Sequence, residues 1–235
     1  MIDVLRASTT ITQAIASGAN CVVPTETVEE ARGKASDLAR TSPSSVLLGG
    51  ERGGVPIEGF DLGNSPAEYD PGTVEGRDMI LTTTNGTRAI QKVLNARMLL
   101  VSSFLNLGAT ARTIANENHV HLVCSGTDGE VTLEDVLLAG ALVESIGGAA
   151  SFELHNDGAH IALATWKSLA QQKLPLGDAM RQSRGGKNLI AAGYEADIDR
   201  CGKVDAIDGI VCRSKVGEST FEYHPSRQSG GSQSH

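Results

Sequence analysis

The order of apolar and polar residues predicts an α/β protein, a three-layer α/β/α arrangement around a mostly parallel or mixed sheet. Three observations carry that expectation. Short β-branched runs alternate with segments of helical period. Aromatic residues make up only 3% of a chain that is 40% apolar, so Ala, Val, Leu and Ile must fill a layered core. The β-type runs also spill into Ser, Thr, Gly or Asn just before the next helix, as in "DVLRASTT", "ILTTTNGTRA" and "LVCSGTDG".

Taken in order, "IDV" should be a strand and "TTITQAIASGA" a helix, with Ile11, Ala14 and Ile15 on one face and Gly18 as its stop. "CVV" precedes "TVEEARGKASDLAR", where Thr27 and Glu30 have capping-box spacing. "SVLLGG" reads as a strand. The stretch from Glu51 to about Arg77 is rich in Gly and Pro without a period, but too apolar for a linker, and is expected to be an ordered excursion. "MILTTT", "MLLVSS" and "HVHLVCS" read as strands, each followed by a helix. The clearest helix is "TLEDVLLAGALVESIG", with Leu133, Val136, Leu137 and Leu142 at apolar positions. The run "ASFEL", helices around Ile161–Ala170 and Ala179–Tyr194, and a β-like "IDGIVC" complete the series. One domain over 1–225 is expected, a subdivision falling, if anywhere, near 147–155. Residues 226–235 ("SRQSGGSQSH") have nothing to bury and should form a disordered tail.

Right-handed crossovers would place ligands beyond the carboxyl ends of the strands. Asp3, Glu51, Asn85 and Ser125 should then share one rim. The formal charge of −8 and the lack of a Lys/Arg block argue against a nucleic-acid partner. No signal-peptide pattern or membrane-length apolar stretch is present, so no membrane partner and a cytoplasmic location are expected. Cys21, Cys124, Cys201 and Cys212 lack zinc-type spacing, and buried free thiols are the plain reading. The apolar helices allow a homodimer without requiring one.

A helix start is a ready anion site, because its first N–H groups are unpaired and its dipole is positive there. Arg6 and Arg88 each sit beside such a turn, against the dipole, which points to a negative partner. Asp3 has two readings, a turn-forming acceptor or a ligand for a hard cation such as Mg²⁺. Glu51 and Arg52 in "GGERGG" are presented by four glycines at a cost in chain entropy, which favours function. Glu134 and Asp135, in the first turn of the long helix, divide evenly between dipole capping and metal binding. Patterns exclude several chemistries. There is no nucleotide P-loop. Cys124 lacks the arginine a cysteine phosphatase wants six residues on, that place being Glu130. Asp3 lacks the second acid of a haloacid-dehalogenase nucleophile motif, that place being Leu5. His155 and His160 have no ligand spacing and read as surface or packing residues.

The segments "IDVLRASTTI", "GERGG", "GFDLGNSPAEY", "TTTNGTRAI", "SSFLN" and "LEDVLLAG", with "EADIDRC" as a weaker member, stand in an order that resembles the 2-phosphosulfolactate phosphatases of the coenzyme M pathway. The likeness runs from Ile2 to about Cys212. It implies an α/β fold and Mg²⁺-dependent hydrolysis of (2R)-2-phospho-3-sulfolactate, a small polyanionic phosphoester, to sulfolactate and phosphate. Two features depart from the family's pattern: a shorter lead-in before Asp3, and Lys187 and Asn188 near a usual Gly-His pair. With the likeness taken together with the residues, Asp3 and Glu51, helped by Glu134 or Asp135, would hold Mg²⁺, and Asp3, Arg6 and Glu51 would be the catalytic residues. Arg6, Ser8, Thr9, Asn85, Gly86, Thr87, Ser125 and Gly126 would surround the phosphate, and Arg52 or Arg88 the sulfonate or carboxylate. Attack by water and attack by Asp3 through an acyl-phosphate both stay open. The alternatives are a related phosphatase for another small acidic phosphoester and a non-catalytic anion-binding protein.

Overall fold

A computed structural model describes residues 1–147, 153–215 and 218–225. The expected tail at 226–235, most of "ASFEL" and much of the 147–155 stretch lie outside the described residues. Within them lie ten α-helices and seven strands, alternating as far as β5, apart from the β2–β3 turn, and then running through six helices before β6 and β7. The sheet runs in the order β3-β2-β4-β1-β7-β6-β5. Strands β1 (Cys21–Thr25), β2 (Val46–Arg52) and β4 (Asp78–Thr82) are parallel to one another, while β3 (Val55–Pro56) turns back antiparallel to β2. The other half is antiparallel: β5 (Leu100–Val101), β6 (Gly209–Arg213) and β7 (Phe221–Pro225). The sheet is therefore mixed, parallel in one half only.

Two-residue alternation decides which face each strand side chain covers. Val22, Met79, Leu81, Val101 and Val211 pack with Ile11 and Ile15 of α1 (Ala7–Ala16) and with Ala89 and Ile90 of α4 (Gly86–Lys92). Their neighbours Val23 and Ile80 face Ala31 of α2 (Val28–Thr41). Leu100, Ile210 and Cys212 face α5 (Leu107–Ile114) and the long α6 (Leu133–Gly147). Helices thus cover both faces. Pro24 is tolerated in β1 because β7 pairs with that strand only at Val22.

Helix ends follow the sequence closely. Thr27 accepts the Glu30 N–H at 3.0 Å at the start of α2, and Gly18, at φ +95°, follows the Ser17 cap of α1. Two expected strands are not formed. "IDV" and "HVHLVCS" shrink to single bridges, Ile2 to Ser102 and Ile2 to Cys124, both parallel. A ladder only one residue long on each side of Ile2 gives neither segment a continuous strand partner. The Ala179–Tyr194 helix is broken at Ser183 into α8 (Leu176–Gln182) and α9 (Arg184–Ala191), because the Ser183 hydroxyl accepts the Gly186 N–H and starts a new helix. The Glu51–Arg77 excursion is ordered and carries β3, a 3₁₀ turn at Pro66–Glu68 and the short α3 (Pro71–Val74). The outer layer is completed by α7 (Asp157–Gln172), packed along α6, and by α10 (Glu195–Cys201).

The cysteine expectation needs correction. All four are free, but only Cys201 is buried; Cys21 and Cys212 are half-buried and Cys124 is exposed. Both His155 and His160 are exposed. No helix among the described residues is long and apolar enough to cross a membrane.

Candidate active site

The ends of β2 and β4 and the bridges at Ile2 and Cys124 all run parallel, so the segments that follow them leave the sheet on one side. Hydrogen bonds link those segments. The Glu51 carboxylate accepts the Thr84 N–H at 2.7 Å, the Thr84 hydroxyl at 3.1 Å and the Gly54 N–H at 2.7 Å. Asn85 Oδ1 accepts the Asp128 N–H at 3.3 Å. Asp135 accepts the Val4 N–H at 2.8 Å, the Gly126 N–H at 3.0 Å and the Ser125 hydroxyl at 3.3 Å. These bonds join the segments that carry Asp3, Glu51, Asn85 and Ser125, although Asp3 and Glu51 are themselves buried.

Among these segments are three buried acids, Asp3, Glu134 and Asp135. Asp3 lies against Gly86 so closely that a Cβ there would stand 2.5 Å from Asp3 Oδ2 and 2.6 Å from the Ala7 Cβ. Glu134 is equally confined, since a Cβ on Gly185 would meet its Oε1 at 2.0 Å. Glycine at 86 and 185 lets α4 and α9 approach the two carboxyls. Burial, then the negative charge of Asp135, raises the Asp3 carboxyl well above the usual range, although Ser125 and the Ala7 N–H favour its charged form. The same two causes push Glu134 up to about 7. Asp135 is also raised, by burial, against the pull of the donors it accepts. Glu134 Oε2 is buried and has no hydrogen-bond partner among the described residues.

The hydroxyls of α1 donate to backbone carbonyls. Ser8 and Thr9 donate to the Asp3 and Val4 carbonyls, each at 2.8 Å, Thr10 to the Asn64 carbonyl, and Thr12 to the Ser8 carbonyl. A buried helix full of hydroxyls needs such backbone acceptors. The Thr87 hydroxyl likewise donates to the Thr83 carbonyl at 2.9 Å. Arg52 donates to the Glu26 and Glu51 carbonyls and to Thr82 Oγ1, so it ties β2 to its neighbours. Arg88 is exposed and makes no ion pair among the described residues. Arg6, by contrast, is buried and paired with Asp197.

A profile of the 2-phosphosulpholactate phosphatase family matches residues 1–215. The chain belongs to that family. Its relatives include proteins named probable 2-phosphosulfolactate phosphatase from Pseudothermotoga lettingae (40% identical over 87% of this chain and 84% of the relative) and Thermotoga maritima (39%, over 86% and 82%). A third, from Deinococcus radiodurans, carries the same name at 40% identity over 85% and 80%. The name of the family is that of a phosphoric monoester hydrolase.

The expectation of a divalent cation can be set against the donors these acids offer. Among the described residues no three His, Cys, Asp or Glu side chains surround a common point as a preformed metal cage would. The donor set nevertheless fits Mg²⁺, which uses one or two carboxylates plus phosphate oxygens and water. Asp3, Glu134 and Asp135 supply hard oxygens, one of them unpartnered, and each is held away from its charged form by burial. A cation would reverse that penalty. Glu51 and Asp135 each have both oxygens bonded, Glu51 to Gly54 and Thr84 and Asp135 to Val4, Ser125 and Gly126, so an ion at either would share those oxygens with the donors present. Sequence reasoning missed Asp197 and Gly185. The "EADIDRC" segment was the available signal for the first.

Proposed function

We propose that this chain is a Mg²⁺-dependent phosphatase that hydrolyses 2-phosphosulfolactate to sulfolactate and phosphate. The observation that carries the reading is the cluster of Asp3, Glu134 and Asp135, three buried carboxyls raised by burial beyond the carboxyl ends of the strands, in a member of this family. Such a cluster destabilises the empty protein and is compensated when cation and phosphoester bind together.

Asp3, Glu134 and Asp135 are the residues that would hold the ion. Bound there, Mg²⁺ supplies charge neutralisation at the phosphoryl oxygens and acidifies a water. Arg6, at the positive end of α1, binds phosphate oxygens through the N–H groups that Asp197 leaves free. Gly86 leaves room for the Asp3 carboxyl, Gly126 donates its N–H to Asp135, and the Glu51–Thr84 bonds fix the loop after β4. Arg88, exposed at the first turn of α4, meets the sulfonate or carboxylate at the mouth. Phosphoryl transfer depends mainly on positioning and charge stabilisation, and these residues provide both.

Phosphate release from 2-phosphosulfolactate, with Mg²⁺ and with a chelator, tests the reading directly. A panel of other small acidic phosphoesters runs beside it. Release that needs Mg²⁺ and is fastest on 2-phosphosulfolactate supports it. Equal or faster release from another ester overturns the substrate, and chelator-insensitive release overturns the metal.

A further inference from the structure

Arg6 precedes α1 by one residue, yet nothing in α1 orients its side chain. The partners that do come from far along the chain. Arg6 Nη1 donates to Asp197 Oδ2 at 2.8 Å, with both side chains buried, and the guanidinium carbon lies 4.4 Å from the centre of the Tyr194 ring. The other Asp197 oxygen accepts the Ser65 hydroxyl at 2.7 Å, which fixes the carboxylate itself. A guanidinium has five N–H donors in a planar fork. Its Nε and Nη2 make no hydrogen bond among the described residues and are not sealed from solvent. A buried arginine left so incompletely paired is set to receive further acceptors. The Cys201 thiol feels the charges of Asp197, Arg6 and Asp3 together, so the pair lies close to the acid cluster.

We propose that Asp197 is a positioning residue: with the Tyr194 ring as a platform, it holds Arg6 so that the open edge of the guanidinium faces the phosphoester. Buried ion pairs are poor sources of stability compared with apolar packing. What this pair supplies is a fixed plane and direction for a long, otherwise mobile side chain. The α9–α10 segment, which no strand-end rule would assign to the site, thereby becomes part of it.

The proposal rests on Arg6 binding the substrate, and the experiment separates the two claims. We compare kcat and KM for 2-phosphosulfolactate in Arg6→Ala, Asp197→Asn and the double variant, with thermal unfolding followed alongside. Arg6→Ala should lose about 10²-fold in kcat/KM. Asp197→Asn keeps the shape and the Ser65 bond but loses the charge, and should lose at least about 10-fold. Asp197→Asn should have no further effect once Arg6 is gone. An unimpaired Arg6→Ala overturns the functional reading itself. An impaired Arg6→Ala beside a wild-type-like Asp197→Asn, or losses that multiply in the double variant, overturns the positioning role alone. Should Asp197→Asn not fold, Tyr194→Leu and Tyr194→Phe decide. Activity lost in the first and recovered in the second, only when Arg6 is present, upholds the proposal, and equal activity of the two refutes it.

Discussion

Replacing Glu134 by Gln should change how stability depends on pH, by an amount the structure sets. The Glu134 carboxyl has an ordinary value of 4.5 when exposed and about 7 in the folded protein, raised by burial and by Asp135. The folded state thus binds the proton more tightly than the unfolded state does. Stability associated with this group is fully present below about pH 4.5, is lost as pH rises toward 7, and stays lost above it. At 1.36 kcal/mol per unit, the loss amounts to about 3 kcal/mol. Glu134→Gln keeps the shape without the titration. In the absence of divalent cations it should match the wild type near pH 4 and exceed it by about 3 kcal/mol at pH 8. For a chain of this size that is roughly 6–12 °C in Tm. The single Trp166, packed against Phe104, gives a fluorescence signal for denaturant titrations at both pH values. Adding Mg²⁺ at pH 8 should restore much of the wild type's deficit and little of the variant's. A wild type that shows no deficit at pH 8, or a Gln variant that is the less stable of the two there, would refute the reasoning.

Other expectations follow from the same geometry. Gly86→Ala places a methyl group 2.5 Å from Asp3 Oδ2, and should cost about 1–3 kcal/mol of stability together with most of the activity, read by unfolding and by phosphate release. Glu51→Ala leaves the Thr84 and Gly54 N–H groups without acceptors and should cost about 1–3 kcal/mol; wild-type stability would show that those bonds do not brace the loop. Arg52→Ala, which breaks contacts with carbonyls and Thr82, should affect Tm more than KM. The stereochemical course at a chiral phosphoryl group separates the two routes of attack: inversion means a single displacement by water, whereas retention means two displacements through an acyl-phosphate on Asp3.

The sequence carried the layered architecture because alternation at β1, β2 and β4 and the caps at Thr27 and Gly18 are local signals. It also carried the rim, since Asp3, Glu51, Asn85 and Ser125 each end or follow a β-like run. What it could not carry was non-local. The antiparallel half of the sheet depends on β7 inserting between β1 and β6, a choice of neighbour that no periodicity encodes. The hydroxyls of Ser8, Thr9 and Thr87 read as ligand donors because that composition is shared by anion loops and by buried helices that need backbone acceptors. Burial distinguishes the two, and burial is a property of the fold. Asp197 lay 191 residues from the arginine it pairs with, and Gly185 owes its importance to Glu134, so neither was visible from spacing.

The central claim is that one divalent ion and one phosphoester meet at Asp3, Glu134, Asp135 and Arg6. A crystal structure with Mn²⁺ in place of Mg²⁺ and sulfolactate plus phosphate as products, collected for anomalous scattering, addresses it most directly. The account predicts a manganese peak within bonding distance of at least one of those three carboxylates, with phosphate oxygens on Arg6. A peak confined to Glu51 or to the exposed acids of α8 and α10, with Arg6 untouched by either anion, would contradict it.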